Sequence, residues 1–340
     1  MVGCVVVKSG RVVGEGFHAR AGGPHAERIA LLRASARARG ATLFVTLEPC
    51  AHTAKRTPPC VPLVLASGVR RVVVAMRDPN PSVDGRGLSA LRRAGLRVSV
   101  GVLAKEAGRL NERFVVAQRA RRPFVLLKAA LTLDGRIATA RGDSKWITGP
   151  HERASARGLR RLHDAVLVGI GTALADDPLL LPTPRLARPF HRVVLDSRLR
   201  LPLDSRLARS ARRGKVLVLG HEHAARRRAL EALGVVVRTD RRRTGRLRLP
   251  FVLRALWAEG VRSVMVEGGS EVLGSFLAAR LFDQVALFRA PLLLGGRRSL
   301  GAFGGENPRH IREAVRLEPV GERTVGGFEL WRPALLAKGR

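Results

Sequence analysis

The sequence predicts an α/β protein of two domains. Its 340 residues are 46% hydrophobic, which is more than one ordinary core accommodates and suits two domains of ~150 to 200 residues each. Short β-branched runs alternate with amphipathic helical segments in both halves, a pattern typical of α/β layers. Between the halves lies the charged stretch 119–123. We therefore expect domains at 1–118 and 124–340, joined by a linker at 119–123.

The first domain alternates strand and helix signals, punctuated by glycine and proline. The predicted elements are, in order, a hairpin (2–7 and 11–17), a helix (25–39), a strand (42–47), a helix opened by Pro58 and Pro59 and ended by Gly68, a strand (69–76), a helix (88–93), a strand (96–100) and a helix from Lys105.

The second domain continues the alternation. The predicted elements are a strand (124–130), a helix (152–162), strands (165–168, 192–195 and 215–219), a helix (224–233), strands (235–238 and 261–266), a helix after Gly269 and a strand-rich end from Leu281 to Trp331. No internal repeat accompanies them.

Composition argues against a membrane or secreted protein. No stretch approaches the ~20 uncharged apolar residues of a membrane span, and the N-terminus lacks the basic flank and cleavage site of a signal peptide. The only cysteines are Cys4, Cys50 and Cys60, too few for a secreted disulfide framework. We expect a cytoplasmic protein whose reduced thiols are available for metal.

The formal charge of +35 raises the alternative of a nucleic-acid partner. However, the basic residues are spread through every segment, Tyr is absent and aromatic residues make up 4%, so stacking platforms are scarce. We expect solvated arginine-rich faces and no nucleic-acid partner, with a functional basic surface as the competing interpretation.

A candidate zinc site is the strongest chemical signal. His25 and Glu27 open a predicted helix, Cys50 follows a strand, and Cys60 follows two prolines. One imidazole and two thiolates leave the fourth tetrahedral position of zinc for water, whose pKa zinc lowers towards ~7. Glu27 is free to move the proton of that water to a ring nitrogen and then to departing ammonia. The pattern predicts zinc bound by His25, Cys50 and Cys60, with Glu27 as the catalytic residue.

Spacing then narrows the class of deaminase. Nucleoside and tRNA deaminases close the site with Pro-Cys-x-x-Cys, whereas nine residues separate Cys50 from Cys60 here. The segments 22–27, 45–52, 57–60 and 78–81 together resemble the bifunctional diaminohydroxyphosphoribosylaminopyrimidine deaminase and 5-amino-6-(5-phosphoribosylamino)uracil reductase family of riboflavin biosynthesis. The resemblance implies a cytidine-deaminase-like three-layer domain. It also implies that His52, Asp78 and Asn80 line the substrate pocket, although such loop residues are as often simply turn residues.

The sequence departs from this family at two places. The family has one residue fewer between its cysteines, so residues 53–56 carry an insertion of the kind that loop tips tolerate. Family members also begin with a helix and a Ser-Pro-Asn-Pro segment ahead of the strand that opens here at Met1. We therefore expect either a misplaced start codon or an impaired deaminase half.

The resemblance extends through residues 128–136, 144–148, 169–178 and 266–269, which are similar to the reductase domain of the same family. It implies a dihydrofolate-reductase-like fold and NADPH as cofactor. From the residues alone the signal is weaker: Gly268 and Gly269 stand between a predicted strand and helix, where backbone amides bind phosphate. Gly169 and Gly171 lack the third glycine of a dinucleotide fingerprint.

Site residues in this half are assigned by resemblance. The NADPH contacts expected are Ala130, Trp146, Thr148, Thr172, Asp176, Ser197, Gly269, Ser270, Glu271, Val272, Leu273, Gly274 and Ser275. The substrate contacts expected are Ser144, Arg160, Leu180, Glu267 and, as a phosphate-binding arginine, Arg185.

The resulting hypothesis is one chain that deaminates a pyrimidine ribotide and then reduces its ribosyl chain to ribityl with NADPH. Two alternatives remain open. One is a reductase whose deaminase domain is only a scaffold, and the other is a zinc deaminase that acts on nucleic acid. A homo-oligomer is compatible with every reading.

Overall fold

A computed structural model gives the architecture for residues 1–20, 22–52, 57–240, 245–306, 308–320 and 328–334. The chain divides into two compact units, Met1–Arg121 and Arg122–Arg340. The stretch 119–123 spans this division, and its first two residues still belong to a helix. None of the helices in the described part of the chain is long and apolar enough to cross a membrane.

The first unit is a five-stranded sheet with order β2-β1-β3-β4-β5. Strand β1 runs antiparallel to β2 and β3, whereas β3, β4 and β5 are parallel. Its elements are β1 (Gly3–Lys8), β2 (Arg11–Phe17), α1 (Ala26–Ala34), β3 (Thr42–Leu47), α2 (Cys60–Ala66), β4 (Arg71–Met76), α3 (Arg86–Arg93), β5 (Arg97–Val100), α4 (Ala104–Leu110) and α5 (Glu112–Ala120).

Helix α1 lies directly on strand β2 because β2 offers glycine where the two meet. A Cβ on Gly14 would come 2.2 Å from the Ala30 carbonyl oxygen, and one on Gly16 would come 2.6 Å from that of Ala26. Ala26, Ala30 and Ala34 face this contact and are fully buried. Small residues on both sides thus set the height of α1 above the sheet.

The second unit contains a nine-stranded sheet with order β11-β10-β9-β8-β12-β6-β13-β16-β15 and a two-stranded sheet of β14 and β7. Its elements are β6 (Phe124–Thr132), β7 (Arg136–Ala138), α6 (Pro150–Arg160), β8 (Ala165–Gly169), α7 (Ile170–Asp176), β9 (His191–Leu195), α8 (Arg206–Arg209), β10 (Val216–His221), α9 (Ala224–Ala232), β11 (Val236–Asp240), α10 (Leu249–Ala258), β12 (Ser263–Gly268), α11 (Ser270–Ala278), β13 (Gln284–Ala290), β14 (Leu300–Gly301), β15 (Leu317–Pro319) and β16 (Glu329–Pro333).

Within this sheet, the neighbouring strands β11, β10, β9, β8, β12, β6 and β13 are parallel to one another. Strands β16 and β15 add an antiparallel edge next to β13. Helices α7 and α11 start directly after β8 and β12. In such open sheets, ligands bind beyond the carboxyl ends of the strands. The predicted α/β class is confirmed, and the sheet points to this edge as the place for a cleft.

Some local predictions were wrong, and helices α7, α8 and α10 were not predicted. The helix predicted over 25–39 ends at Ala34, because Ser35 has φ 49° and a short 3-10 turn follows over Ser35–Ala38. For α10, Pro250 near its start and Gly260 after its end are ordinary boundary signals.

Candidate active sites

Three potential metal ligands meet in the first unit. The Nδ1 atom of His25 lies 3.2 Å from Cys60 Sγ and 3.6 Å from Cys50 Sγ, and all three ligand atoms lie within 4.8 Å of one another. Ligand atoms on a tetrahedral zinc, with bonds of ~2.0 to 2.3 Å, are themselves about 3.3 to 3.8 Å apart. The residues present therefore fit a zinc ion.

The fold brings these ligands together through the ends of three elements. His25 caps the start of α1, Cys50 follows β3, and Cys60 is the first residue of α2. The carbonyl oxygen of Cys50 accepts hydrogen bonds from the backbone N–H groups of Cys60 and Val61, at 3.0 and 3.2 Å. This pairing fixes the two thiols side by side, although nine residues separate them along the chain.

Two further contacts support the ligand set. The Nε2 atom of His25 lies 3.0 Å from the Thr57 hydroxyl, which leaves Nδ1 directed at the sulfur atoms. A hydrogen bond with Cys50 and burial raise the pKa of the Cys60 thiol. A cation at the centre of the cluster would oppose both effects and favour thiolates.

Glu27 lies beside the cluster, in the first turn of α1. It is 3% exposed, and its Oε2 atom has no hydrogen-bond partner in the part of the chain that the structure describes. Burial raises the pKa of Glu27, and the neighbouring Cys50 adds to the increase. A buried carboxyl group with an unused oxygen, next to potential metal ligands, has the properties of a proton carrier.

Glu48 is a functional candidate that the sequence reasoning missed. It is 3% exposed, and its carboxylate accepts four backbone N–H hydrogen bonds, from Asp78 (3.3 Å), Gly85 (2.9 Å), Gly87 (2.9 Å) and Leu88 (3.3 Å). Glu48 thus holds the loop after β4 against the strand that delivers Cys50. A Cβ on Gly87 would come 1.9 Å from the Pro49 carbonyl oxygen, so only glycine allows this approach.

The expected pocket residues of this unit lie on two loops. Asp78 is buried, and its Oδ1 accepts a 2.8 Å hydrogen bond from the Asn80 N–H. Burial, together with the charges of Glu48 and Cys50, raises the pKa of Asp78 to about 6. Asn80 in turn accepts from the Ser82 N–H, and the Nδ1 atom of His52 is buried and has no hydrogen-bond partner among the described residues. The insertion expected at 53–56 lies outside the described residues.

The second unit contains a cavity of about 1380 Å³ at the carboxyl edge of its sheet. Most residues expected there by resemblance line its wall: Ala130, Ser144, Trp146, Thr148, Arg160, Thr172, Asp176, Leu180, Glu267, Gly269, Ser270, Glu271, Val272 and Leu273. The cavity therefore brings both the expected cofactor contacts and the expected substrate contacts into one space.

Four expected contacts lie elsewhere. Arg185 donates to the Arg213 carbonyl oxygen at 2.9 Å and does not line the cavity. Gly274 packs against backbone, since a Cβ there would come 1.7 Å from the Gly304 oxygen, and the Ser275 hydroxyl donates to the Glu271 carbonyl. The carbonyl oxygen of Ser197 accepts from the His221 N–H at 3.0 Å.

A charged cluster lies in the part of the cavity wall where the resemblance leads us to expect substrate contacts. Arg160 donates to both oxygens of Glu267, at 2.5 and 2.8 Å. Burial favours protonation of Glu267, but the charges of Arg160 and Lys128 outweigh it, and the pKa of Glu267 is lowered. Burial lowers the pKa of Lys128. The sequence analysis assigns no role to Lys128, because a lysine inside an apolar strand gives no sign of its partners.

The part of the wall where the resemblance leads us to expect cofactor contacts contains the start of a helix and an exposed tryptophan. Helix α11 begins at Ser270, at the carboxyl end of β12. The Trp146 ring is 69% exposed, with the Arg153 guanidinium 4.3 Å from its centre. Lys145 pairs with Asp176 at 3.3 Å. This edge offers backbone amides for phosphate and a flat surface for a ring.

Both halves of the chain match known families. Residues 1–76 match the family described as the cytidine and deoxycytidylate deaminase zinc-binding region. Residues 123–327 match the RibD C-terminal domain. These matches confirm the predicted deaminase-like and reductase domains.

Relatives cover almost the whole chain. The riboflavin biosynthesis protein RibD of Aquifex aeolicus is 42% identical over 337 residues, 96% of this chain and 91% of that protein. That of Actinobacillus pleuropneumoniae is 40% identical over 327 residues, 96% of this chain and 87% of that protein.

Solved structures agree with them. Acinetobacter baumannii RibD superposes with a TM-score of 0.85 at 35% identity, covering 98% of this chain and 92% of that one. The deaminase/reductase of Thermotoga maritima superposes with a TM-score of 0.81 at 38% identity, covering the same shares. This chain therefore belongs to the RibD family of bifunctional deaminase–reductases of riboflavin biosynthesis.

Proposed function

We propose that the first unit hydrolytically deaminates 2,5-diamino-6-(5-phosphoribosylamino)pyrimidin-4(3H)-one. His25, Cys50 and Cys60 would hold zinc, which would make a water nucleophilic at neutral pH. Glu27 would carry one proton of that water to the ring nitrogen and then the second proton, from the same oxygen, to the amino group, which leaves as ammonia. The observation that carries this proposal is the convergence of three metal ligands beside a buried carboxyl group with an unused oxygen.

The pyrimidine would be oriented by His52, Asp78 and Asn80. Their support is geometric: Glu48 ties the loop of Asp78 to the strand that delivers Cys50, so polar groups and metal ligands share one rigid frame. Asp78 and the buried Nδ1 atom of His52 supply polar groups suited to the amino and imino groups of the ring.

The second unit reduces the deaminated product, 5-amino-6-(5-phosphoribosylamino)uracil, to its ribityl form. NADPH, when bound, supplies the hydride that C1 of the opened ribose receives. We propose that the start of α11 and the side chains of Trp146, Thr172 and Asp176 hold this cofactor. Ser144, Leu180 and the Arg160–Glu267 pair, which line the same cavity, would orient the ribosyl chain.

The test supplies the diaminopyrimidine ribotide with and without NADPH, and follows ammonia release and NADPH oxidation separately. We expect ammonia release in both conditions, and NADPH oxidation only after ammonia has been released. Oxidation of NADPH with supplied deaminated substrate, but no ammonia from the first substrate, would favour the reductase with a scaffold domain.

The remaining expectations are proposals of the same kind. A small pyrimidine ribotide is the partner, the location is cytoplasmic, and the basic surface has no nucleic-acid ligand. An RNA gel shift that collapses with salt would contradict the last point, and light scattering checks the homo-oligomer.

A further inference from the structure

Helix α6 presents three arginines to the reductase cavity. Arg153, Arg157 and Arg160 all line its wall, because residues three and four apart project from one face of a helix. The described part of the wall carries eight basic and four acidic side chains. This surplus of positive charge suits ligands that carry phosphate.

Two of the three arginines already have protein partners. Arg153 donates to the Thr148 carbonyl oxygen at 2.5 Å and stacks on Trp146. Arg160 donates to both oxygens of Glu267 and to the Leu181 carbonyl oxygen at 2.9 Å. The charge of Arg160 is thereby largely neutralised within the protein.

Arg157 differs from both. It is half-buried in the wall, and it makes no hydrogen bond or ion pair with any residue that the structure describes. Asp176, Glu267 and Glu271, three acidic side chains of the wall, are each paired with another cation. A guanidinium with five unused donors therefore faces the cavity.

The position of Arg157 associates it with substrate. It lies one helical turn before Arg160, which contacts Glu267 and the segment of Leu181, next to Leu180. Arg185, expected by resemblance to bind the substrate phosphate, is hydrogen-bonded to Arg213 away from the wall. Arg185 is thus absent from the cavity wall, whereas Arg157 lies in the wall with no partner among the described residues.

We propose that Arg157 binds the 5-phosphate of the reductase substrate. A guanidinium binds a phosphate dianion through two parallel charge-assisted hydrogen bonds, which anchors the ribosyl chain while its C1 end reaches the hydride donor. This inference rests on the proposed function, since it takes the phosphoribosyl compound as the substrate.

The experiment is a substrate-by-residue cycle on the full chain. Reductase kcat and KM are measured with 5-amino-6-(5-phosphoribosylamino)uracil and with its dephosphorylated ribosyl analogue, for wild type, Arg157→Gln and Arg161→Gln. Arg161 is the matched control, because its exposed side chain carries the same charge four residues along and lies outside the cavity wall.

For Arg157→Gln we expect KM for the phosphorylated substrate to rise about ten- to hundredfold, with kcat changed by less than about threefold. KM for the dephosphorylated analogue stays at the wild-type value, as do both values in Arg161→Gln. Binding of NADPH, followed by quenching of tryptophan fluorescence, remains as in wild type and verifies the fold of the variant.

Three results overturn the inference. An unchanged KM for the phosphorylated substrate would show that Arg157 does not bind the phosphate. An equal rise in KM for both substrates would show that its effect does not depend on the phosphate. Weaker NADPH binding assigns Arg157 to the cofactor instead. If wild type fails to reduce the phosphorylated substrate at all, the proposed function itself is wrong, and that outcome is visible without any variant.

Discussion

The two units build their sites from different materials. In the first unit, the metal site uses three side chains whose ligand atoms lie within 4.8 Å of one another, all between His25 and Cys60. In the second unit, the cavity wall extends from Lys128 to Leu300 and includes many apolar and backbone groups. A metal demands particular donor atoms, whereas a dinucleotide is held largely by shape and backbone amides. A metal site can therefore be predicted from residue types, whereas a dinucleotide site cannot.

The largest expected effect breaks only the first site. Cys60→Ala removes one of three metal ligands, so we expect loss of most bound zinc and of measurable ammonia release. Reduction of supplied deaminated substrate should continue at the wild-type rate. Metal analysis and the two assays check this, with Cys4→Ala as control, because Cys4 is buried in β1 outside the ligand set. Full zinc content in Cys60→Ala would remove Cys60 from the site.

Glu27→Gln separates chemistry from metal binding within the first unit. The amide keeps the shape of the side chain but cannot carry the proton, so we expect ammonia release to fall by ~10² to 10⁴ while zinc content is retained. Reduction should again be unaffected. Loss of both activities in a folded variant would contradict the independence of the two sites.

The cofactor preference tests the second site. Arg200, Arg206 and Arg246 line the cavity wall, and a charge-assisted pair with the 2′-phosphate contributes ~1.5 to 3 kcal/mol. We expect wild type to prefer NADPH to NADH. In the double variant Arg200→Gln, Arg206→Gln, kcat/KM with NADPH should fall about ten- to hundredfold, whereas kcat/KM with NADH should not change. The control is Arg198→Gln with Arg209→Gln, two arginines outside the wall. Equal use of both cofactors by wild type would refute the preference.

The smallest effect concerns Glu48. In Glu48→Gln, the amide nitrogen would face backbone N–H groups that now donate to a carboxylate oxygen. Since an amide nitrogen cannot accept these hydrogen bonds, the buried N–H groups would be left unsatisfied. We expect a loss of about 2 kcal/mol in the free energy of unfolding of the first unit and a raised KM for deamination, with NADPH binding unchanged. Urea unfolding followed by circular dichroism measures the free energy of unfolding. Unaltered stability would show that the loop does not depend on this carboxylate.

Sequence reasoning succeeded where chemistry is local. His25, Cys50 and Cys60 were recognisable because few combinations of residues bind zinc, and the structure brings them together. Glu48 was missed because its partners are backbone N–H groups, which no residue type announces. Arg185 was expected by position, yet its direction depends on a contact with Arg213 that only the folded chain reveals. Helix α1 was extended too far because the break at Ser35 is a matter of backbone conformation rather than hydrophobic pattern.

The close contact of α1 with Gly14 and Gly16 bears on how this enzyme can evolve. A methyl group at either position would push the helix away from its strand, and Glu27 and His25 would move with it. A displacement of ~1 Å is enough to cost about 10² in rate. Gly14 and Gly16, two buried glycines of an ordinary hairpin, therefore cannot become alanine without loss of deaminase activity. A lineage that has lost this activity should show it first by accepting alanine at these positions.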